Sequence, residues 1–319
     1  MTTRETVKRI LITTPLLFVF VTFSVFAMLA AAPGDPAIDL AGQNATMEDI
    51  ARVRAELGLD QGFFVRYWDW LSGVFTGDLG ISYSRRTEVT EVIASRIGPT
   101  LSLTLTAIVL AVLFGLLLGV VATFRPGGWV DRFVSLFASL GVALPQFWVG
   151  MLLVVGFSLQ LKLMPATGYV PLSEGIGPWA AHVTLPALAL SVMPAAELAR
   201  HVRSAVLEVL DKDFVLTARA KGMLTPRIYA MHVARNAGIP IVTVLGIRVA
   251  QLLGGTVVIE TVFGIQGLGT LTVDSVLARD IPTILGVVAL AAVVVLIVNL
   301  LVDLSYRFID PRTAQHAPA

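Results

Sequence analysis

Long apolar segments alternate along the chain with polar stretches that carry nearly all of its charged residues. A helix needs about 20 apolar residues to cross roughly 30 Å of hydrocarbon. The segments of sufficient length are Ile10–Gly34, Ile97–Phe124, Phe133–Leu161, Gly175–Ala196, Asn236–Ile259 and Ile281–Val302. Arg248, in the fifth segment, is the one charged residue among them. The pattern predicts an all-α membrane protein with six transmembrane helices.

The distribution of Lys and Arg over the short loops predicts the orientation of these helices. The loops on one side contain only Lys162 and Arg279, apart from a long loop whose length exempts it from the rule. The other side holds Arg4, Lys8, Arg9, Arg125, Arg132, Arg200, Arg203, Lys212, Arg219, Lys221, Arg227, Arg235, Arg307 and Arg312. We therefore expect both termini to be cytoplasmic. We also expect the first segment to be a retained helix, since it is too long for the apolar part of a secretory signal.

The composition agrees with a membrane protein. Hydrophobic residues make up 56% of the 319 residues and charged residues 14%, against about 25% charged residues in a soluble domain. This excludes a soluble enzyme, a disordered chain and a collagen-like chain. The balance of 23 Lys and Arg against 22 Asp and Glu argues against a nucleic-acid partner. Because the chain has no cysteine, it has no disulfide, thiolate zinc site or iron–sulfur cluster.

The segment 33–96 forms an extracytoplasmic subregion with its own helical signals. Thr46 followed by Asp49 predicts a capping box, and Gly58 predicts the end of the helix that follows. An aromatic stripe comes next, made of Phe64, Tyr67, Trp68, Leu71 and Phe75. The stripe is typical of an interfacial helix that packs on lipid headgroups or on the helix bundle. The alternative is a docking surface for an external partner.

The segment 203–235 forms a cytoplasmic subregion that reads as helix, tight turn and helix. Asp213 is expected to cap a helix through Lys221, with Gly222 as its stop. Thr225 and Pro226 are expected as the N-cap and first residue of a second helix, which ends near Arg235. Such a short unit has too little apolar surface to fold alone. It therefore packs on its own bundle, fits a groove on a partner or lies against anionic lipid.

The chain lacks the residues that would let it supply its own energy. None of its four lysines follows a glycine, so the phosphate-binding motif Gly-x4-Gly-Lys-[Ser/Thr] is absent. The acids near the apolar segments, Glu197, Glu260 and Asp303, are expected at span ends, which argues against an ion-coupled carrier. The four histidines are scattered, without the spacing of metal ligands or of a catalytic base. We expect no catalytic residue and no metal site in this chain.

Arg248 is expected about midway along the fifth span, where a charge needs a cavity or a partner. One interpretation is structural, with the guanidinium bonded to backbone carbonyls or to an acid of a second subunit. The other places Arg248 on a translocation path, where it pairs transiently with a substrate carboxylate. Glu260 is too far along the helix to pair with it and is expected to face an outer vestibule, either as part of the path or as a wetted helix end.

Several motifs together resemble a known family. The inner segment contains Asp213-Phe214-Val215-Leu216-Thr217-Ala218-Arg219-Ala220-Lys221-Gly222, followed by His232-Val233-Ala234-Arg235-Asn236-Ala237. Other matching stretches are Pro33-Gly34-Asp35-Pro36, Gly77-Asp78-Leu79-Gly80, Leu252-Leu253-Gly254-Gly255-Thr256, Gly267-Leu268-Gly269 and Asp310-Pro311-Arg312. In order and over nearly the whole chain, these resemble the permeases of binding-protein-dependent ABC importers, and in particular the dipeptide/oligopeptide permease B branch.

The resemblance implies a single transmembrane domain over 1–319 with the type I ABC importer permease fold, in a bacterial inner or plasma membrane. It implies a second homologous permease subunit, two cytoplasmic ATPase subunits or one fused ATPase, and an extracytoplasmic substrate-binding protein. ATP and Mg²⁺ are then expected on the ATPases, with no cofactor on this chain. The residues it assigns to ATPase coupling are Asp213, Thr217, Ala218, Arg219, Ala220, Lys221 and Gly222. The expected substrate is a di- or oligopeptide; alternatives are nickel, another small solute, or a scaffold without transport.

Overall fold

The computed structural model describes residues 14–42 and 44–309, and over these residues the chain is helical, with one isolated bridge between Ile81 and Glu88. The α-helices are α1 (Thr14–Ala31), α2 (Pro36–Ala41), α3 (Met47–Glu56), α4 (Phe63–Thr76), α5 (Val89–Ala122), α6 (Trp129–Ala143), α7 (Gln146–Leu153), α8 (Ile176–Leu210), α9 (Asp213–Ala220), α10 (Thr225–Ile228), α11 (Ala234–Val262), α12 (Leu268–Leu277) and α13 (Ile281–Ile309). The predicted all-α class is confirmed. Arg4, Lys8, Arg9 and the Asp310-Pro311-Arg312 motif lie outside the described residues.

The described helices include four that are long and apolar enough to cross a membrane: α1, α5, α8 and the part of α13 over Ile281–Val302. A fifth candidate is the pair formed by α6 and the helical stretch Gln146–Gln160, which meet at a bend of 107°. Helix α11 contains the predicted 236–259 segment and has 29 residues. The structure therefore supports a membrane protein with four or five apolar spans by length and composition.

The expectation of one uninterrupted span over Phe133–Leu161 is wrong. Helix α6 ends at Ala143, Leu144 is extended with ψ of 130°, and Pro145 precedes α7. Proline lacks an N–H group and its ring disfavours the helical conformation for the residue before it, so the helix stops there. After α7 the chain continues as a π-helical turn over Val154–Gln160.

The described chain divides into two compact units. The larger unit comprises Pro99–Ile265 with 297–309, and the smaller unit comprises 14–98 with Gln266–Leu296. In the larger unit, α5 packs closely on α8 through Gly115 and Gly119. A Cβ at Gly115 would lie 2.7 Å from Leu198 Cδ2, and one at Gly119 would lie 2.6 Å from Val202 Cβ. Glycines four residues apart let two helix backbones approach, as is common in membranes.

The outer segment of the smaller unit begins as the sequence predicts. The Thr46 N–H donates to Asp49 Oδ2 at 3.1 Å, and the Asp49 N–H donates to Thr46 Oγ1 at 3.2 Å, so the capping box is confirmed. The hydrogen bond from the Thr46 hydroxyl is the main reason that the pKa of Asp49 is lowered. Helix α3 ends where Gly58 adopts a φ of +64°, which confirms the predicted stop.

The aromatic stripe of α4 divides between two faces. Tyr67 and Leu71 are buried in a cluster with Phe26 of α1, and the Tyr67 hydroxyl donates to the Val19 carbonyl at 3.1 Å. Phe64, Trp68 and Phe75 are exposed. Two residues of the stripe therefore pack on the helix bundle, as one interpretation expects, and the other three stay available to lipid or to another chain.

Asp280 fixes the start of α13 in the smaller unit. Its carboxylate is fully buried and accepts hydrogen bonds from the hydroxyls of Ser82 and Ser84 and from the Tyr83 N–H at 3.0 Å. Burial, the largest single influence, raises the pKa of Asp280, but these hydrogen bonds together outweigh it, and the pKa is lowered. The acid thus joins residues almost two hundred positions apart, a contact that no local pattern indicates.

Candidate functional site

The inner segment of the larger unit has a helix, a sharp turn and a second helix. Helix α8 continues to Leu210, well beyond the predicted end at Ala196, and α9 follows over Asp213–Ala220. At the end of α9, Gly222 adopts a φ of +77°. The Gly222 N–H donates to the Arg219 carbonyl at 2.9 Å, and the Met223 N–H donates to the Ala218 carbonyl at 3.1 Å. This is a Schellman end, so the predicted glycine stop is confirmed. We call 211–233 the elbow.

Two predicted caps of the elbow are displaced by one residue. Lys212 is the N-cap of α9 and makes no side-chain cap, so Asp213 is the first helical residue rather than the cap. Its carboxylate still lies in the first turn, where a negative charge complements the helix dipole. Likewise Leu224 precedes α10, and Thr225 is already helical. A helical N–H left free at these exposed ends can bond water, which is why neither end needs a side-chain cap.

The second helix of the elbow does not end near Arg235. Helix α10 passes through a π-helical turn over Tyr229–Val233 directly into α11, which continues to Val262. Pro240 therefore lies inside α11 rather than at a break. A proline removes one hydrogen bond from a helix, and a spanning helix tolerates this where its neighbours cover the backbone. The elbow is consequently joined without interruption to the fifth predicted span.

The predicted coupling residues lie on two faces of α9. Ala218 is buried, as is Val215, which belongs to an apolar cluster with Val206 of α8 and Ile228 of α10. The exposed members of the predicted set are Asp213, Thr217, Arg219, Ala220, Lys221 and Gly222. Val215 therefore packs the elbow onto its own bundle, Ala218 is buried on the same helix, and the other residues form the surface that a partner can contact.

The exposed surface of the elbow combines positive charge with apolar side chains. Phe214, Leu216 and Leu224 are large hydrophobic residues that remain exposed, and the Phe214 ring lies 5.8 Å from the ring of His232. Exposed aromatic and aliphatic groups beside Arg219 and Lys221 suit a groove on a protein partner. The elbow thus packs one face on its own bundle and presents the other.

Arg248 has an acidic partner in its own chain. Its Nε lies 2.5 Å from Glu197 Oε2 of α8, and its Nη1 donates to Gln251 Oε1 at 2.5 Å. The contact with Glu197 is an ion pair without an aligned hydrogen bond. The expected partners, backbone carbonyls or an acid of a second subunit, are replaced by Glu197. This residue lies inside α8 and not at a helix end, because α8 is longer than its apolar stretch.

Glu260 is fully buried within the larger unit. The Thr100 hydroxyl donates to its Oε1 at 2.7 Å. The expectation that Glu260 is a wetted helix end facing a vestibule is therefore wrong, because the chain encloses the carboxylate and supplies its hydrogen bonds. A buried acid at the end of α11 instead fixes this helix to α5. Its participation in a translocation path stays a prediction.

A second ion pair, between Asp131 and Arg203, was not indicated by the sequence. Arg203 Nε lies 2.5 Å from Asp131 Oδ1, and its Nη2 lies 2.8 Å from Oδ2, a bidentate contact between α6 and α8. The Gly127 N–H also donates to Oδ2 at 2.8 Å. Arg203 enters the sequence argument only as one of many positive loop residues. Asp131, an acid two residues into a predominantly apolar helix, is the signal that could have indicated the pair.

The exposed face of α11 carries a stripe in which two polar residues and a glycine accompany one valine. Gln251, Gly254, Val258 and Thr261 follow one another at helical spacing and are all exposed. A Cβ at Gly254 would meet no atom within 4 Å, so this face is open. Arg248 lies one turn before Gln251 and donates to it. An exposed polar stripe on a membrane helix is costly in lipid and therefore indicates water or another subunit.

Comparison with known proteins identifies the family. A model of the binding-protein-dependent transport system inner membrane component matches residues 111–315, and its N-terminal companion matches residues 3–104. The chain belongs to this family. It is therefore an inner-membrane subunit of an ABC importer. This subunit works with ATPase and substrate-binding partners, and the partner subunits hydrolyse ATP.

Relatives and solved structures agree with the assignment. The chain is 40% identical over 306 residues to a probable peptide ABC transporter permease of Sinorhizobium fredii, which covers 96% of this chain and 98% of the relative. It is also 40% identical to the glutathione transport system permease GsiC of Escherichia coli K12, covering 96% and 97%. The inward-facing MetNI methionine ABC transporter matches with a TM-score of 0.56 at 19% identity, over 68% of this chain and 96% of that chain. This match shows the type I importer permease fold.

Proposed function

We propose that this chain is the permease subunit of an importer for short peptides. The observation that carries the proposal is the similarity, over nearly the full length, to permeases named for peptide and for glutathione transport. Glutathione is itself a tripeptide with free carboxylates. The same architecture would also suit nickel or another small solute, and a scaffold without transport is the alternative from another class. Peptide uptake distinguishes among them.

In the proposed assembly the chain has six spans, with α11 as the fifth, and cytoplasmic termini. It forms one transmembrane domain over 1–319, with 33–96 outside and 203–235 inside. It pairs with a homologous second permease, two ATPase subunits or one fused ATPase, and an external binding protein. ATP and Mg²⁺ bind to the ATPases. The mechanism is alternating access.

The elbow is the proposed contact with the ATPase. Its exposed face is formed by Asp213, Thr217, Arg219, Ala220, Lys221 and Gly222, while Ala218 is buried and Val215 packs on the bundle. Since α8 and α11 both join the elbow directly, a displacement of the elbow moves both helices. The work of ATP hydrolysis thereby reaches the spans without a nucleotide site in this chain.

The stripe on α11 is the proposed wall of the translocation path. Gln251, Gly254 and Thr261 offer polar or small groups to a hydrated substrate. Arg248 lies at the cytoplasmic end of the stripe; it is ion-paired with Glu197 at rest, but its guanidinium has further N–H donors for a substrate carboxylate. A peptide carries a C-terminal carboxylate in every sequence, so one guanidinium on the path would serve peptides of any composition. Recognition of this carboxylate is a reason for Arg248 to be the one charged residue in the predicted fifth span, Asn236–Ile259.

Uptake by the reconstituted complex tests the proposal. Proteoliposomes that contain this chain, its partner permease and the ATPases, with binding protein added outside, are expected to import labelled dipeptides and glutathione only with ATP. Uptake of ⁶³Ni²⁺ without peptide uptake would favour the nickel alternative. Absence of any ATP-dependent uptake from an assembled complex would support the scaffold.

A matched pair of variants tests the path. Gly254→Trp is expected to block uptake while ATP hydrolysis continues, because the side chain enters open space on the stripe. Gly98→Trp, at another exposed helical glycine with no atom within 4 Å, is the control and is expected to transport normally. Normal uptake by Gly254→Trp would remove the stripe from the path.

A further inference from the structure

A positively charged cavity of about 400 Å³ lies in the smaller unit. Arg54 of α3, Arg66 of α4 and Arg279, between α12 and α13, line it. Asp35 is the one acid in the lining, so the lining residues sum to +2 (three Arg less one Asp); Asp39, outside the lining, pairs with Arg279 and leaves a charge of +1 when it is counted. None of these residues takes part in the proposed coupling or path.

The three guanidinium groups keep hydrogen-bond donors free for a ligand. Arg54 bonds Asp35, and Arg279 Nη1 donates to Asp39 Oδ2 at 3.0 Å. The Arg66 Cζ lies 5.6 Å from the centroid of the Phe26 ring, and its guanidinium also bonds the Tyr83 hydroxyl. Each guanidinium has five N–H donors in a planar fork, so one ion pair or ring contact does not saturate it. The side chains of Arg54 and Arg279 remain 42% and 43% exposed.

Arg279 is held in the cavity by an unusual backbone. It has a φ of +52° at the end of α12, where its N–H donates to the Val276 carbonyl at 3.2 Å and the Asp280 N–H donates to the Ser275 carbonyl at 2.8 Å. Glycine is the usual residue at this position of a Schellman end, because a Cβ is strained there. An arginine that accepts this strain indicates a use for its side chain.

Gly34 provides the space that the Arg279 side chain occupies. Its φ of +114° is accessible to glycine, and a Cβ at this position would lie only 1.6 Å from Arg279 Nη1. The guanidinium therefore lies directly on the Gly34 backbone. A residue without a side chain thus faces an arginine in a strained conformation, and the two together shape this wall of the cavity.

The position of the cavity indicates the source of its ligand. Helix α1 ends at Ala31 and the apolar span of α13 begins at Ile281, and residues at both points line the cavity. The cavity therefore lies where spans leave the hydrocarbon, at the depth of phospholipid headgroups. The exposed Phe64 and Trp68 of α4 are typical of the same level. Leu29 and Ile284 add apolar walls.

We propose that this cavity binds the phosphate group of a membrane phospholipid, with Arg54, Arg66 and Arg279 as donors and Leu29 and Ile284 against the start of the acyl chains. Arginine binds phosphate through paired N–H groups, and the positive lining favours an anionic headgroup. Free phosphate could accept the same hydrogen bonds, but it has no acyl chains to contact the apolar walls, and it does not require a site at the depth of the headgroups.

Native mass spectrometry of the delipidated complex, which contains the full chain with its partner subunits, tests the proposal. Dioleoylphosphatidylglycerol is expected to be retained, whereas dioleoylglycerol, which has the same tails without phosphate, is not. Millimolar inorganic phosphate is expected not to displace the lipid. Displacement by inorganic phosphate, or equal retention of dioleoylglycerol, would overturn the assignment to a phospholipid.

Variants assign the binding to these arginines. The pair Arg54→Gln and Arg279→Gln together is expected to weaken retention of dioleoylphosphatidylglycerol at least tenfold. Arg52→Gln is the matched control, since Arg52 lies on the same helix and bonds only Asp49 near its own turn. Unchanged retention in the double variant would contradict the proposal, as would an equal loss in the control.

Arg279→Gly separates binding from folding. The substitution removes the guanidinium and also relieves the backbone strain, so the melting temperature is expected not to fall. Retention of the lipid is nevertheless expected to fall at least fivefold. If Arg279 serves only the fold, this variant will keep the lipid, and the site is then disproved even if the double glutamine variant does not assemble.

Discussion

Glu197 and Arg248 form a largely buried ion pair in the larger unit, with side chains 8% and 25% exposed. Removing one member of a buried pair leaves an unpaired charge and costs about 3–5 kcal/mol. Glu197→Gln is therefore expected to lower the free energy of unfolding by that order. Thermal unfolding of the purified protein in detergent measures the effect.

The exposed pair between Glu208 and Lys212 provides the control on the same helix. Their atoms lie 3.2 Å apart and both side chains are more than half exposed. Such pairs contribute about 0–1 kcal/mol, so Glu208→Gln is expected to melt as the wild type does. Restoring neutrality with Glu197→Gln and Arg248→Met together should recover part of the loss. Equal melting temperatures for Glu197→Gln and Glu208→Gln would show that the contact between Glu197 and Arg248 does not stabilise the fold.

Asp280 predicts a dependence of stability on pH. Its pKa is lowered in the folded state, so the stabilisation is complete above the unfolded value, about 3.9. It is lost as the pH falls through the lower folded value. The melting temperature of the wild type is expected to fall below about pH 4 more steeply than that of Asp280→Asn. At neutral pH the variant is expected to be less stable by roughly 1–3 kcal/mol. If the melting temperatures of the two proteins fall equally steeply with decreasing pH, this account is contradicted.

At the scale of elements, glycine has opposite effects at the end of α9 and inside α5. Gly222 needs its positive φ, so Gly222→Ala is expected to cost about 1 kcal/mol and to reduce peptide uptake per ATP hydrolysed, since the turn sets the direction of the elbow. Gly98 lies in a helix, where an added Cβ would meet no atom within 4 Å apart from its chain neighbours. The gain in helix propensity, up to about 1 kcal/mol, is reduced by crowding against Pro99, so Gly98→Ala is expected to stabilise by a few tenths of a kcal/mol with uptake unchanged.

Melting and uptake measured for both glycine variants test this contrast. The two substitutions add the same methyl group, so any general effect of alanine appears equally in both. If the melting temperature and the uptake change in the same direction in both variants, the backbone conformation of Gly222 does not control the elbow.

Local signals in the sequence predicted several elements, but they did not predict contacts between residues that are distant in the sequence. The Thr46 capping box and the stops at Gly58 and Gly222 depend on neighbours within a few residues, and each is where the sequence indicates. The observed starts of α9 and α10 each differ by one residue from the predicted starts, because water can replace a side-chain cap. The partner of Arg248 depends on the relative rotation of two helices, which no single-helix pattern specifies.

At the scale of the whole molecule, the absence of cysteine makes the orientation directly testable. Single-cysteine variants at Met47 and Leu224 place one thiol on the outer segment and one on the elbow, at residues that are 86% and 75% exposed. In intact spheroplasts, a membrane-impermeant maleimide is expected to label Met47→Cys and not Leu224→Cys. Permeabilised cells should label both. Labelling of Leu224→Cys from outside would reverse the proposed orientation.

The sequence indicates the number of membrane spans less clearly than it indicates the all-α membrane class. Composition alone indicated a membrane protein, and hydropathy located every long helix. The break at Pro145 divides one apolar segment, however, and α11 mixes apolar residues with Arg248, Gln251 and several glycines. These residues lower the mean hydropathy of α11, so hydropathy indicates the predicted fifth span less clearly than the other segments.

The length of α8 bears on how the elbow meets its surroundings. Its 35 residues extend about 52 Å, against roughly 40–45 Å for a bilayer with its headgroups. With Ile176 placed at one surface, the proposed orientation would carry the other end of α8 beyond the headgroups by about one Debye length. Ions there screen the surface charge of the membrane, so the proposed contact of Arg219 and Lys221 with an aqueous protein partner is expected to weaken as the ionic strength rises.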